Sequence, residues 1–338
     1  MTQQILKKER VAQFIAELEK SHIVYGPVKS DSLVSFVANP GDKLRLDIQT
    51  TDRSPKDIFF PQTEVLLTYS GGKTEEPAHS DKPVAIFGTR PCDARAFSLL
   101  DKVFLGEPYT DPYWQARRNG ALVFSIGCNR PSSTCFCHWT GGGPFDQQGS
   151  DVLLTDIGPA FVMTACTDRG EEILTNSKIL NEAGPDEISA AEKLKHDAPA
   201  QLTETVDVTQ VGGTLEKMWE DEFWEVFSAK CLGCAACAYL CPTCHCFDVQ
   251  DEGQADCGRR IRIWDSCSFD LFTKEASGHN PRPSRKERLR QRIMHKFSYF
   301  PGKFGTVACV GCGRCVRACP ANIDLRTILE TTVKKGPE

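Results

Sequence analysis

The stretch CLGCAACAYLCP, Cys231 to Pro242, sets Cys231, Cys234, Cys237 and Cys241 at the spacing C-x2-C-x2-C-x3-C and closes on a proline. Further along, CVGCGRCVRACP repeats the pattern with Cys309, Cys312, Cys315, Cys319 and Pro320. A cubane iron-sulfur cluster needs four thiolates at the corners of a tetrahedron. Three cysteines in a tight loop of small residues cap one side, and the fourth must arrive from elsewhere. Where two such runs occur together, the fourth cysteine of each serves the other cluster. On that logic Cys231, Cys234, Cys237 and Cys319 hold one [4Fe-4S] cluster, and Cys309, Cys312, Cys315 and Cys241 the other. Each proline ends its loop by fixing φ and removing a backbone donor. Structural zinc also accepts four cysteines but gathers them as two separated C-x2-4-C pairs. Duplicated three-plus-one runs with trailing prolines favour iron-sulfur.

The rest of the composition agrees with a large, reduced, metal-binding chain. Its 338 residues suit two domains, and 40% hydrophobic content is enough to bury ordinary cores. A formal net charge of -5 gives no general attraction to nucleic acid or to anionic membranes, so neither is an expected partner. The N-terminus, MTQQILKKERVAQFIAELEK, lacks the apolar core of a signal peptide, and no run reaches the 18 apolar residues of a membrane span. The expected location is the cytoplasm. Disulfide scaffolds are small and secreted, so 17 cysteines in a chain of this size imply thiols that are reduced and clustered on metal.

Upstream of the cysteine runs, Val11, Phe14, Ile15 and Leu18 form one apolar helix stripe. Short apolar runs follow: VLLTY from Val65, VAIFG from Val84, ALVFSIG from Ala121, DVLLTDIG from Asp151 and FVMTAC from Phe161. They read as mostly buried strands, and the helical segments DARAFSLLDKVF and DRGEEILTN alternate with them. The fold expected is an α/β N-terminal domain over residues 1–212, with a polar stretch from Glu182 to Gln210 leading out. A C-terminal α+β dicluster, ferredoxin-like domain over 213–338 follows, carrying a long insert at 242–308. That domain opens on LEKMWEDEFWEVF, where Leu215, Met218, Trp219, Phe223 and Phe227 read as one side of a single helix.

A further group of cysteines lies in the α/β part. Cys92 follows VAIFGTRP and should stand just past a strand at the start of a helix, where the helix dipole favours a thiolate. Cys128 holds the analogous place after ALVFSIG and opens GCNRPSSTCFC, which also carries Cys135 and Cys137. The carboxyl ends of neighbouring strands in such a domain face one crevice. Cys92, Cys128, Cys135 and Cys137 are therefore assigned to a third [4Fe-4S] cluster, whereas Cys166, inside FVMTAC, reads as core.

With CPTCHCFDVQDE, RIRIWDSC and HKFSYFPGKFGTVACVGCGRC beside the two runs, and PKDIFFPQTE, FGTRPCDARAF, GCNRPSSTCFC and DVLLTDIG upstream, the chain resembles a known family over nearly its whole length. That family comprises the beta subunit of sulfhydrogenases (group 3b [NiFe] hydrogenases) and the corresponding iron-sulfur subunits of anaerobic sulfite reductase and of flavin oxidoreductases coupled to heterodisulfide reductase. The resemblance implies an electron-transfer subunit of a cytoplasmic hetero-oligomeric complex. Its implied partners are a subunit binding FAD and NAD(P) and a further redox subunit, such as a hydrogenase, sulfite reductase or heterodisulfide reductase. FGTRPCDARAF and the Cys128 region also resemble the flavin-binding beta subunit of coenzyme F420-reducing hydrogenase, which supplies the alternative of a flavin oxidoreductase subunit.

No G-x-G-x-x-G, no phosphate-binding G-x-x-x-x-G-K-[ST] and no nucleophilic triad stands in the sequence; TGGGPF from Thr140 has glycines without their spacing. The chain reads as an electron wire with no catalytic residues. Cys244, Cys246 and Cys267 recur in the family pattern and, with Cys257, could form another site, replace one of the assigned ligands or, the favoured reading, line the protein around a cluster; His138 and His245 read as hydrogen-bonding neighbours of cysteines. The basic run RPSRKERLRQRIMHK, from Arg282 to Lys296 within this stretch, reads as a solvated face, a docking surface, or compensation for anionic clusters.

Overall fold

A computed structural model describes residues 2–78, 80, 82–208 and 211–336; the last two residues of the polar stretch ending at Gln210 lie outside the described residues. Along the chain run β1 (Gln3–Lys7), α1 (Val11–Leu18), β2 (Ile23–Ser30), β3 (Leu33–Ala38), β4 (Thr63–Ser70), β5 (Lys73–Glu75), β6 (Val84–Thr89) and α2 (Pro91–Phe104). Next come α3 (Pro112–Arg118), β7 (Leu122–Ile126), β8 (Val152–Asp156), β9 (Ala160–Ala165), α4 (Asp168–Asn176), β10 (Asn181–Glu182) and α5 (Pro185–Asp197). The C-terminal part adds α6 (Val211–Lys217), α7 (Phe223–Ser228), α8 (Ala236–Tyr239), β11 (Phe247–Gln254), β12 (Cys257–Trp264), α9 (Arg285–Met294), α10 (Phe300–Phe304), α11 (Arg314–Arg317) and α12 (Leu325–Lys334).

These elements divide into two compact units, the first made of residues 1–59, 80–204 and 310–312. Its sheet runs β10-β1-β9-β8-β7-β6-β2-β3. The centre, β2-β6-β7-β8, is parallel, and the strands outside it pair antiparallel. Parallel strands are covered on both faces and so read as unbroken apolar runs; all five residues of β7 are buried. The α1 stripe expected from sequence covers one face, with the Phe14 ring 6.0 Å from Phe87 and 5.9 Å from Phe124. On the other face α5 sets Ala191 against Val162 of β9. The parallel connection from β7 to β8 carries no α-helix. It is the loop 127–151, which contains GCNRPSSTCFC.

The second unit comprises residues 60–79, 205–309 and 313–338, with an antiparallel sheet ordered β11-β12-β4-β5. Two expectations are corrected here. The run VLLTY from Val65 is not a buried member of the first domain's layers. It lies in β4, which pairs with β12 and buries only Glu64. An antiparallel strand can leave one face in water, so an apolar run alone does not report burial on both sides. Glu64 forms a buried ion pair with Arg262, whose guanidinium lies over the rings of Phe60 and Phe247 at 5.1 and 5.3 Å. The single helix expected over LEKMWEDEFWEVF is also broken, into α6 and α7, and at the break Asp221 makes a local turn, its carboxylate accepting from Phe223 N at 2.8 Å. Among the described residues no helix is long and apolar enough to cross a membrane.

Candidate metal centres

The two cysteine runs repeat in backbone as well as in letters. Gly233 and Ala235 of the first loop have φ of 69° and 60°, and Gly311 and Gly313 at the matching positions of the second have 59° and 72°. Left-handed residues at these two places curl each loop before the short helices α8 and α11 begin. Ala235 carries a Cβ where the partner loop has glycine, a conformation that costs an L-residue about 1–2 kcal/mol. The second loop has a closer constraint. Gly311 O accepts from Phe136 N at 2.8 Å, and a Cβ at Gly311 would stand 2.3 Å from Phe136 C and 2.4 Å from Cys137 N. Sequence reasoning missed this residue; its only signal was a glycine inside C-x-x-C.

Within the second unit Cys231, Cys234 and Cys237 share one cavity with Cys319 and Cys315. The other walls are mainly apolar, with Leu232, Leu289, Ile293, Ile323 and Leu325, and Arg292 completes the lining beside Arg285 and Arg288. Ile323 N donates to Cys319 Sγ at 3.3 Å. An apolar pocket ringed by thiols and basic side chains suits an anionic, thiolate-ligated group, and its donor set is the one a cubane uses. Among the described residues no three His, Cys, Asp or Glu side chains gather around a single metal ion.

Cys241 lies apart from that cavity lining and is buried. Its sulfur is 3.2 Å from Thr243 Oγ1 and accepts from Lys296 Nζ at 3.4 Å. A hydrogen bond from the Cys244 thiol holds Cys241 well below the usual thiol range against the opposing effect of burial, and Lys296 and Arg292 add to the lowering. The same bond, with burial, pushes Cys244 well up. Cys246 and Cys267 form a second hydrogen-bonded pair, which with burial raises Cys267 far above its ordinary value; Cys244 adds to that rise. Cys257 stands away from this group, exposed at the start of β12 opposite Gln254 and Ser70. Cys309 is buried, as is Cys312, which falls in the first unit. His245 Nδ1 lies 3.0 Å from Thr243 O, and its ring meets His295 edge to face at 5.5 Å; His138 Nε2 lies 3.0 Å from Thr203 O.

In the first unit, Cys92 is the second residue of α2, directly after β6, and Cys128 follows the paired strand β7. Arg90 ties the two strand ends together, its Nη1 donating to Ile126 O and Gly127 O at 3.1 Å each. A cleft lined by Arg90, Gly127, Cys128 and Asn129 opens there, at the carboxyl ends of parallel strands where such folds place their ligands. Burial raises Cys128, with Cys135 and Asp93 adding to the rise and Arg90 opposing it. Cys137 is pushed up to about 12, by burial first and then by Cys135 and Cys128. These mutual effects bring Cys128, Cys135 and Cys137 into one neighbourhood. Cys166 is half-buried, not core: it sits just past β9, where its N donates to Asp151 O at 2.8 Å, and burial lifts its thiol to about 11.

A family model described as a 4Fe-4S dicluster domain matches residues 230–323, which hold both cysteine runs. Over 334 residues, 98% of this chain and 98% of the relative, the sequence is 30% identical to sulfhydrogenase 2 subunit beta of Pyrococcus furiosus. No solved structure matches the chain. The dicluster match accounts for the cavity of cysteines and its duplicated loops, and the full-length likeness extends to the sheet that carries Cys92 and Cys128. The chain belongs to the sulfhydrogenase beta-subunit family and is an iron-sulfur electron-transfer subunit.

Proposed function

We propose that the chain relays single electrons in a cytoplasmic hetero-oligomeric complex. They pass between a subunit binding FAD and NAD(P) and a further redox subunit of hydrogenase, sulfite reductase or heterodisulfide reductase type. The observation that carries this reading is the cavity in which Cys319, with Cys315 beside it, meets Cys231, Cys234 and Cys237, because a crossed fourth ligand is the mark of a two-cluster relay. Cys309, Cys312, Cys315 and Cys241 hold the second cluster, and Cys92, Cys128, Cys135 and Cys137 the third. Bound clusters supply one-electron redox steps. The protein's own residues do the rest: the cysteines fix the position of each cluster, Leu289, Ile293 and Leu325 keep water from the first, and buried cations offset thiolate charge.

A chain with no dinucleotide motif needs a flavin elsewhere to divide a hydride's electron pair. Isolated without oxygen, it is expected to be reduced by dithionite and to show no NADH or NADPH oxidation with a dye acceptor. Adding the FAD-binding subunit makes its clusters reducible by NADH or NADPH. Nucleotide oxidation by the flavin-free chain contradicts the proposal. A flavin released on denaturing the isolated chain supports the F420-reducing type of subunit instead.

A further inference from the structure

The basic run around α9 does not present one solvated face. Lys286 reaches Glu225 at the surface, 3.2 Å away, while Arg290 turns inward, lies over the Trp219 ring at 3.8 Å and donates to Trp219 O at 2.6 Å. Arg292 and Lys296, four residues apart, turn furthest in and are 5% and 3% exposed. Among the described residues neither is ion-paired with an Asp or Glu. Burying a cation costs several kcal/mol unless an opposing charge and well-formed hydrogen bonds offset it. The charges that face these two belong to cysteines.

Their hydrogen bonds go to different cysteines, although Arg292 also bears on Cys241, Cys244 and Cys315. Arg292 lines the cavity of Cys231, Cys234, Cys237, Cys315 and Cys319, and its Nη2 donates to Cys237 O at 3.0 Å. Lys296 Nζ uses its three protons on Cys241 Sγ at 3.4 Å, Thr243 Oγ1 at 2.9 Å and Ala308 O at 2.9 Å. A π-turn over His295–Tyr299 takes over where α9 ends, so Lys296 sits on an interruption of ordinary helix spacing. Such interruptions are frequent at functional positions.

We infer that Arg292 and Lys296 are counter-charges to the clusters of the dicluster domain, Arg292 weighted to the potential of the cluster in the cavity and Lys296 to that of the cluster ligated by Cys241. This inference rests on the cluster reading above. A cluster gains negative charge on reduction, and its potential responds to net charge and to hydrogen bonds on its sulfurs. A nearby cation, and a proton donated to Cys241 Sγ, therefore favour the reduced form. Both residues act through position and charge and undergo no chemistry.

The test is an anaerobic redox titration of the full chain followed by EPR, with the two signals told apart in a Cys319→Ser background. Lys296→Met should keep its iron and sulfide and make the Cys241-ligated cluster at least tenfold harder to reduce, about 59 mV for a one-electron couple. The cavity cluster should move clearly less. Arg292→Met should show the reverse pattern, and Lys296→Arg, which keeps the charge, should restore most of the midpoint. Lys296→Gln deletes the charge but keeps a donor, and gives the same readout if methionine is not tolerated at that site. Full clusters with unmoved midpoints, or equal shifts of both clusters under each substitution, overturn the inference and leave the cluster reading standing. Loss of iron in both neutral variants while Lys296→Arg retains it assigns Lys296 to assembly and overturns it too. A wild-type chain without cubane signals overturns the cluster reading itself.

Discussion

Cys319→Ser is expected to remove the cluster proposed at Cys231, Cys234 and Cys237, although residue 319 belongs to the other cysteine run. The expected change is a fall from about twelve irons per chain to about eight, with the EPR signal of the Cys309, Cys312 and Cys315 cluster retained. The reason is spatial. Cys319 lines the cavity of the first run, with its sulfur held by Ile323 N. Cys241, the fourth cysteine of the first run, lies instead against Thr243 and Lys296. If only the Cys309, Cys312 and Cys315 signal changed, each run would be serving its own cluster and the crossing would be wrong.

Gly311→Ala is the second substitution with a large expected effect, on stability first and on iron content through it. The residue has a φ of 59°, and a methyl group there would sit 2.3 Å from Phe136 O, inside the segment that carries Cys135 and Cys137. The left-handed conformation costs an alanine about 1–2 kcal/mol. Forcing a methyl against backbone that cannot yield costs about 1–3 kcal/mol more. Together these predict a loss of about 2–5 kcal/mol in denaturant unfolding and a broken bond from Phe136 N to Gly311 O. Gly143→Ala, where a Cβ meets nothing within 4 Å, should stay within about 0.5 kcal/mol of wild type. A wild-type unfolding midpoint for Gly311→Ala would show that the loop 135–137 moves aside freely.

The dicluster loops were legible in the sequence because cluster ligation is local geometry: three thiolates on one curl need the spacing that Cys231, Cys234 and Cys237 have. The parallel centre of the sheet was legible for a similar reason, since VAIFG and ALVFSIG are apolar without alternation. Pattern failed where the outcome depends on distant chain. VLLTY from Val65 has the same apolar run, but whether it meets β6 or β12 is decided by residues far away in sequence. The break between α6 and α7 falls at a local turn around Asp221, inside an otherwise periodic stretch. Arg292 and Lys296 look like their solvated neighbours in composition, and only burial separates them from Lys286. Gly311 was hidden because its constraint comes from Phe136, on the other side of the sequence.

The iron and acid-labile sulfide content of the chain isolated without oxygen, read with its absorption and EPR spectra, decides whether the cysteines hold clusters and how many. The expected result is a brown protein with about twelve iron and twelve sulfide per chain and cubane signals on reduction. About eight of each would remove the cluster assigned to Cys92, Cys128, Cys135 and Cys137. A colourless chain containing zinc and no labile sulfide would show that the cysteines hold zinc and that the chain carries no electrons.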